Sequence, residues 1–280
     1  MFFYQLKYEL WKLFGKKRTY IGFLMLMLAQ LLIVSLLRYY PPAHRSLMHT
    51  VERGGFIGGQ YLSMLTIATI MSVVLAYTML PLYVALIGGD LVSKEAEDGT
   101  LRMILCRPIS RVRLLCLKWL AGFVFSIVLV LALAAGGMFF CGMFFPVGGG
   151  LFAQVPEQDL GVFNFTDGLG RFLLAHLFLI PKACAIMSVA FMFSCFNMKP
   201  AAAAILALSM ILIDRILMEI PYFHDLRDCF FGYHLNIWQL FFQQHIPWWQ
   251  VGESLGILFG SSLTFLIVGI SVFQVSDIKS

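Results

Sequence analysis

The sequence predicts an all-α membrane protein with six transmembrane helices. Hydrophobic residues make up 60% of the chain and charged residues 12%, whereas soluble proteins carry roughly 25% charged residues. The mean hydropathy is +0.85. A spanning helix needs about 20 mostly apolar residues, and six stretches are that long: 19–38, 61–89, 114–143, 170–194, 201–219 and 251–273. They take up more than half the chain, so we expect one transmembrane domain over residues 1–280.

The N-terminal segment, residues 1–18, is predicted to lie on the membrane surface as an amphipathic helix. At the helical period its apolar residues share one face, and its polar residues gather on a separate flank. The alternative is a frayed tail. The apolar face comprises Phe2, Phe3, Leu6, Leu10, Leu13 and Phe14, and the polar flank comprises Gln5, Glu9, Lys12 and Lys16.

The second predicted span is unusually long and contains a proline. Pro81 should kink it, because proline lacks the N–H that the helix needs. The span leads into a charged loop, residues 90–113, in which acids come first and bases second. Ser110 suits the N-cap of the third span.

The distribution of Lys and Arg predicts that both termini are cytoplasmic, because short loops rich in these residues stay inside. With the N-terminus inside, the cytoplasmic segments and span ends carry most of the lysines and arginines. The opposite side holds only Arg38, Arg45, Arg53, Arg171 and Arg227. The net charge of +5 is accounted for by anionic lipid headgroups and needs no nucleic acid.

The fourth and fifth spans carry charges within the membrane. Lys182 and Asp214 each lie sixteen residues from Met198, so an antiparallel hairpin brings them to similar depth. Intramembrane ionisable groups are functional-site candidates by default. Two interpretations stay open: the two charges neutralise each other through a side-chain contact or a bridging water, or they form a coupling site together with Arg215.

The outer segment, residues 221–250, contains ten aromatic residues in thirty. That density is typical of the membrane interface, and it predicts a re-entrant segment of one or two short helices. The sixth span opens with "GESLG", which matches the G-x-S-x-G pattern of a nucleophile elbow. Because an elbow requires a strand-to-helix turn in an α/β sheet, Gly252, Gly256 and Gly260 are better interpreted as a helix-packing face.

No motif for nucleotide binding is present in the sequence. The one Gly-Lys pair, Gly15-Lys16, has Leu10 where a P-loop needs glycine. No H-E-x-x-H zinc site occurs either. Any energy source other than an ion gradient must therefore come from another chain.

The charged loop carries a family resemblance. Glu95 and Glu97, followed by "GTLRMILCRPISR" and then Lys118, resemble the signature of type-2 ABC exporter permeases. The resemblance implies a dimer of permease copies or homologues, two separate P-loop ATPase subunits that bind ATP and Mg²⁺, and no cofactor in this chain. It also implies a cytoplasmic coupling helix between spans two and three. The ATPase-coupling positions would be Glu95, Glu97, Asp98, Gly99, Thr100 and Leu101.

The resemblance favours the membrane subunit of an ATP-driven exporter in the cell (inner) membrane. Its cargo is expected to be hydrophobic or amphipathic and to leave from the cytoplasm or the inner leaflet. A self-sufficient secondary transporter that uses Lys182, Asp214 and Arg215 is the alternative. An intramembrane enzyme built on "GESLG" is a third class.

Overall fold

The structure, a computed structural model, describes residues 2–42, 45, 62–100, 110–153 and 161–275, with the backbone alone at His224. Predictions that concern Arg53 or Leu101 lie outside the described residues.

The first two helices meet at a tight corner. Helix α1 (Phe2–Phe14) is followed by α2 (Lys17–Tyr39), the first candidate span. The hydroxyl of Thr19 donates to the carbonyl of Leu13 at 2.7 Å and is buried. That bond fixes the angle between the two helices.

The second span is broken into two helices. Helix α3 (Met64–Tyr77) and helix α4 (Met79–Glu97) are bent by 41° at Thr78. Pro81 explains the position of the break, because the carbonyl four residues earlier, that of Tyr77, receives no N–H from a proline. The predicted kink is therefore present, and α4 continues beyond the predicted end of the span.

The third span and a short ribbon follow. Ser110 caps helix α5 (Arg111–Phe144), and its hydroxyl accepts from the N–H of Arg113 at 3.3 Å, as the sequence predicted. Strands β1 (Leu151–Ala153) and β2 (Gly161–Phe163) pair antiparallel. This two-stranded ribbon is an addition to the predicted all-α fold.

The remaining helices complete the bundle. They are α6 (Phe165–Ser194), α7 (Pro200–Glu219), a 3-10 helix (Pro221–Cys229), α8 (Phe231–His234), a second 3-10 helix (Ile237–Phe242) and α9 (Trp248–Val275). Five helices of the described residues are long and apolar enough to cross a membrane, and the bent pair makes a sixth candidate. These agree with the six predicted stretches.

Helix α6 forms the centre of the bundle. In the apolar 18-residue stretch of α6, 67% of the residues are buried, whereas only 17% are buried in the corresponding stretches of α2 and α7. Helix α4 approaches it closely through Gly88, where an added Cβ would collide with the backbone of Met187 and the side chain of Ala190. The outer segment folds back onto the bundle, since Trp238 and Phe241 are fully buried. The predicted short helices are thus present between α7 and α9.

Candidate functional site

An acidic turn ends helix α4. Glu97 and Asp98 are exposed, and the ammonium of Lys94 lies 2.8 Å from Glu97 and 3.0 Å from Asp98. Exposed ion pairs of this spacing contribute little to stability. The two carboxylates therefore remain available to a partner on the side of the molecule where α4 ends.

Gly99 gives the turn its shape. Its φ of +69° is left-handed, a conformation that glycine adopts without a steric cost at a helix C-terminus. Its N–H donates to the carbonyl of Ala96 at 3.2 Å. Thr100 then donates its hydroxyl to the carbonyl of Glu95 at 3.3 Å. The chain leaves the helix in one defined direction at this point.

Directly behind the turn lies a buried ionic cluster. Oε1 of Glu95 accepts from Nζ of Lys118 at 2.5 Å and from Nζ of Lys12 at 2.6 Å. Lys118 also lies 3.2 Å from Oε2 of Glu9. Glu95 is 4% exposed and Lys118 is 1% exposed. The cluster joins α1, α4 and α5 at one end of the bundle.

The electrostatics of the cluster favour the charged forms. Burial alone would lower the pKa of Lys12, but the hydrogen bond and the charge of Glu95 outweigh burial and raise that pKa above its ordinary value. Lys16 is also partly buried, and burial lowers its pKa, since no side chain of the described residues forms a hydrogen bond with it. The pKa values of these two lysines, which share the predicted polar flank, thus shift in opposite directions.

The cluster changes the interpretation of two predicted features. Glu95 does not project toward a partner, because its carboxylate points into the chain and binds two lysines. The polar flank of α1 also faces inward through Glu9 and Lys12, whereas five of its six aromatic residues are exposed. The exposed aromatic residues are Phe2, Phe3, Tyr4, Tyr8 and Trp11.

The intramembrane charges do not pair directly. Lys182 is 3% exposed, and its ammonium lies 4.2 Å from the ring centre of Tyr77. Asp214 instead accepts a hydrogen bond from the backbone N–H of Gly232 at 2.5 Å. The described residues therefore show no direct side-chain contact between Lys182 and Asp214, and a bridging water between them stays a prediction.

The glycine face of α9 has no partner among the described residues. A Cβ added at Gly252, Gly256 or Gly260 would meet nothing within 4 Å, and all three are exposed. The predicted packing of this face against another helix therefore stays a prediction. A second copy of the chain is left as the candidate partner.

The serine of "GESLG" has a structural partner. The hydroxyl of Ser254 lies 3.0 Å from Nδ1 of His234, and Nε2 of the same ring lies 2.9 Å from the carbonyl oxygen of Asp228. Since a carbonyl only accepts, Nε2 carries the proton and Nδ1 accepts from the serine. The pair ties α8 to α9, and Ser254 lies inside a helix and not on a strand-to-helix turn.

Metal chemistry finds no support in the part of the chain that the structure describes. There, no three His, Cys, Asp or Glu side chains form a group that could hold a metal ion.

Sequence reasoning missed the partners of Glu95. Lys118 lies eight residues after the N-cap of α5 and therefore well inside an apolar helix. A lysine buried in an apolar helix is almost always paired, because an uncompensated buried charge is costly. That rule calls for an acid close to Lys118, and the packing of the helices identifies the acid as Glu95.

A comparison with known families supports a transport role. A family model described as "ABC-2 family transporter protein" matches residues 11–225, which include the acidic turn, the helices α2 to α7, and Lys12, Glu95 and Lys118 of the buried cluster. No curated protein is similar enough to the chain to count as a match.

Proposed function

This chain belongs to the ABC-2 transporter family and is the membrane subunit of an ABC transporter, and we propose that it works as an ATP-driven exporter. Two separate P-loop ATPase subunits supply the energy and hold ATP and Mg²⁺. A second permease copy or homologue completes the membrane domain. The proposed location is the cell (inner) membrane with both termini in the cytoplasm.

The observation that carries the proposal is the acidic turn at the end of α4. Glu97, Asp98 and Gly99 are exposed there, at the side that the distribution of Lys and Arg predicts to be cytoplasmic. Acids are unfavourable beside anionic headgroups. An exposed acidic turn at this position therefore suits a basic groove on a protein partner.

Glu95 contributes to coupling from behind the turn. It lies in the last helical turn of α4 and binds Lys12 of α1 and Lys118 of α5. A displacement of the turn therefore moves three helices together. Rigid-body movement of packed elements is the usual way in which a small shift at one site becomes a change of state at another.

The proposed cycle follows from this connection. ATP binding closes the ATPase pair, which displaces the two acidic turns of the dimer. The bundle moves as a unit because the cluster is buried and doubly bonded. The hydrophobic or amphipathic substrate then leaves the cytoplasm or the inner leaflet.

Charge reversal at the turn tests the proposal. Glu97→Lys combined with Asp98→Lys should reduce co-purification of the P-loop ATPase, or separate ATP hydrolysis from export. Membrane insertion should be unchanged, since Asp and Glu contribute little to topology. Asp225→Lys is the matched control, because Asp225 is also exposed but lies in the outer segment.

Normal export by the charge-reversed chain, with its ATPase fully bound, would exclude the turn as the contact. A chain that transports without any ATPase would exclude the exporter itself. The secondary transporter predicted from Lys182, Asp214 and Arg215 would then be the better explanation. Collapse of the ion gradient should stop that transporter, whereas depletion of ATP should stop the exporter.

A further inference from the structure

A cavity of ≈ 400 Å³ lies between α2, α4 and α5. Among the described residues, a smaller cavity is lined by two basic side chains and by no acidic one. This second cavity, of ≈ 340 Å³, lies between the break in the second span, α6, α7 and α8. Leucine, isoleucine and methionine residues make up half of its lining. Lys182 and Arg215 also line it.

The two cations share one aromatic ring. Nζ of Lys182 lies 4.2 Å from the ring centre of Tyr77, and Cζ of Arg215 lies 4.4 Å from the same centre. The ring is held in place, because the hydroxyl of Tyr77 donates to Asn236 at 2.8 Å and accepts from Gln239 at 3.0 Å. Tyr77 thus holds two positive charges at one end of the cavity.

No acid neutralises these cations within the described residues. The cavity wall includes no Asp or Glu, and the nearby Asp214 is bound to the N–H of Gly232. Cation–π contacts stabilise the charged form of each side chain, but they supply no negative charge. The buried Lys182 and the exposed Arg215 repel each other when both are protonated, and an anion bound between them would offset that repulsion.

The mouth of the cavity is apolar and open. Leu82 of α4 and Leu212 of α7 line it and are 43% and 58% exposed. Arg215 lies about 22 Å along α7 from its first residue, by the helical rise, and so within the outer half of a bilayer core about 30 Å thick. A hydrocarbon chain could enter from the lipid between α4 and α7.

We propose that this cavity binds an amphipathic anion, a hydrocarbon chain that ends in a carboxylate or a phosphate. The anionic group binds Lys182 and Arg215, and the chain lies along Leu82 and Leu212. The proposal does not depend on ATP-driven export, because it concerns binding alone. The anion comes either from a membrane lipid or from a free amphiphile.

Equilibrium binding of radiolabelled palmitate tests the site. The full-length chain is placed in nanodiscs of phosphatidylcholine at neutral pH, and binding to empty nanodiscs is subtracted. Unlabelled palmitate and hexadecyl phosphate should displace the label, whereas the neutral methyl palmitate should not. This comparison needs no variant, so it does not depend on the folding of a mutant.

Variants then locate the bound anion. Lys182→Met and Arg215→Met should each weaken palmitate binding by about tenfold or more, the scale of one charge-assisted hydrogen bond. Lys182→Arg should retain binding. Lys199→Met is the matched control, because Lys199 is exposed near the opposite end of α7 and should bind as the wild type does.

The source of the anion is separated by lipid composition. Addition of phosphatidylglycerol to the nanodiscs should compete with palmitate if a bilayer lipid occupies the cavity. Unchanged palmitate binding would identify a free amphiphile as the occupant. Equal displacement by methyl palmitate, or full binding by Arg215→Met and Lys182→Met, would overturn the proposal.

Discussion

Nζ of Lys118 lies 2.5 Å from Oε1 of Glu95, and both side chains are almost completely buried. Glu95 lies in the last turn of α4, and Lys118 lies inside α5, so the two residues belong to consecutive spans. Their contact therefore holds the ends of α4 and α5 together. It also brings α1 into the bundle, because Lys12 binds the same oxygen.

Glu95→Gln should destabilise the folded chain strongly. Removal of one partner from a buried ion pair costs about 3 to 5 kcal/mol, since the remaining charge is left uncompensated. Thermal unfolding in detergent measures the loss, with Lys7→Met at an exposed position as the control. The double change Glu95→Leu and Lys118→Leu should cost less than Glu95→Gln alone. An unfolding temperature equal to that of the wild type would contradict this role.

The contribution of Lys12 should depend on pH in one direction. Its pKa is raised in the folded chain from an ordinary value of 10.5, so folding favours the protonated form. The stabilisation is complete below the unfolded pKa and is lost as pH rises through the folded pKa. The difference in Tm between the wild type and Lys12→Met should stay constant from neutral pH to about pH 10 and shrink above it. A difference that grows on the alkaline side would contradict the pairing.

The sequence predicted the spans because helix length and hydropathy are local properties. Pro81 likewise predicted the kink, since the missing N–H acts on a carbonyl only four residues away. Short polar signals also worked: Ser110 caps α5 as expected. The strands β1 and β2 were missed, because each has only three residues and so shows no clear alternation.

The contacts between helices could not be predicted in the same way. Equal depth suggested a pair between Lys182 and Asp214, but depth says nothing about the direction in which a side chain points around its helix. The same limit applies to Gly256, whose spacing identifies a smooth helix face without its partner. Lys118 and Glu95 were both recognised, yet only the packed bundle shows that they meet.

Gly99→Ala should loosen the end of α4. An L-residue in the left-handed region costs about 1 to 2 kcal/mol, and the φ of Gly99 lies there. Hydrogen exchange at the amides of Asp98 and Gly99 should accelerate, while Gly99→Asn should have a smaller effect, since asparagine tolerates this region. Gly170→Ala is the control, because an added Cβ there also meets open space but at an ordinary φ. Equal exchange in all variants would show that the turn does not depend on glycine.

Ser254→Ala should leave transport intact. The change removes a buried hydrogen bond to His234, which costs about 1 kcal/mol and more if the ring nitrogen stays unsatisfied. A modest fall in Tm with normal export is the expected result. Ser271→Ala, which removes an exposed bond within the same helix, serves as the control. Loss of activity at unchanged stability would instead support the enzyme interpretation of "GESLG".

Gly256→Leu should separate folding of the chain from assembly of the dimer. An added side chain at Gly256 meets nothing within 4 Å, whereas at Gly88 it would collide with Met187 and Ala190. Gly88→Leu should therefore reduce the yield of folded chain. Gly256→Leu should preserve the Tm of the isolated chain and lower the fraction of dimer, measured by light scattering and by cross-linking in membranes. A close approach of two helices through small residues explains this expectation, because a leucine holds the backbones apart. If the dimer fraction is unchanged, the glycine face of α9 is in contact with lipid and the second copy packs elsewhere.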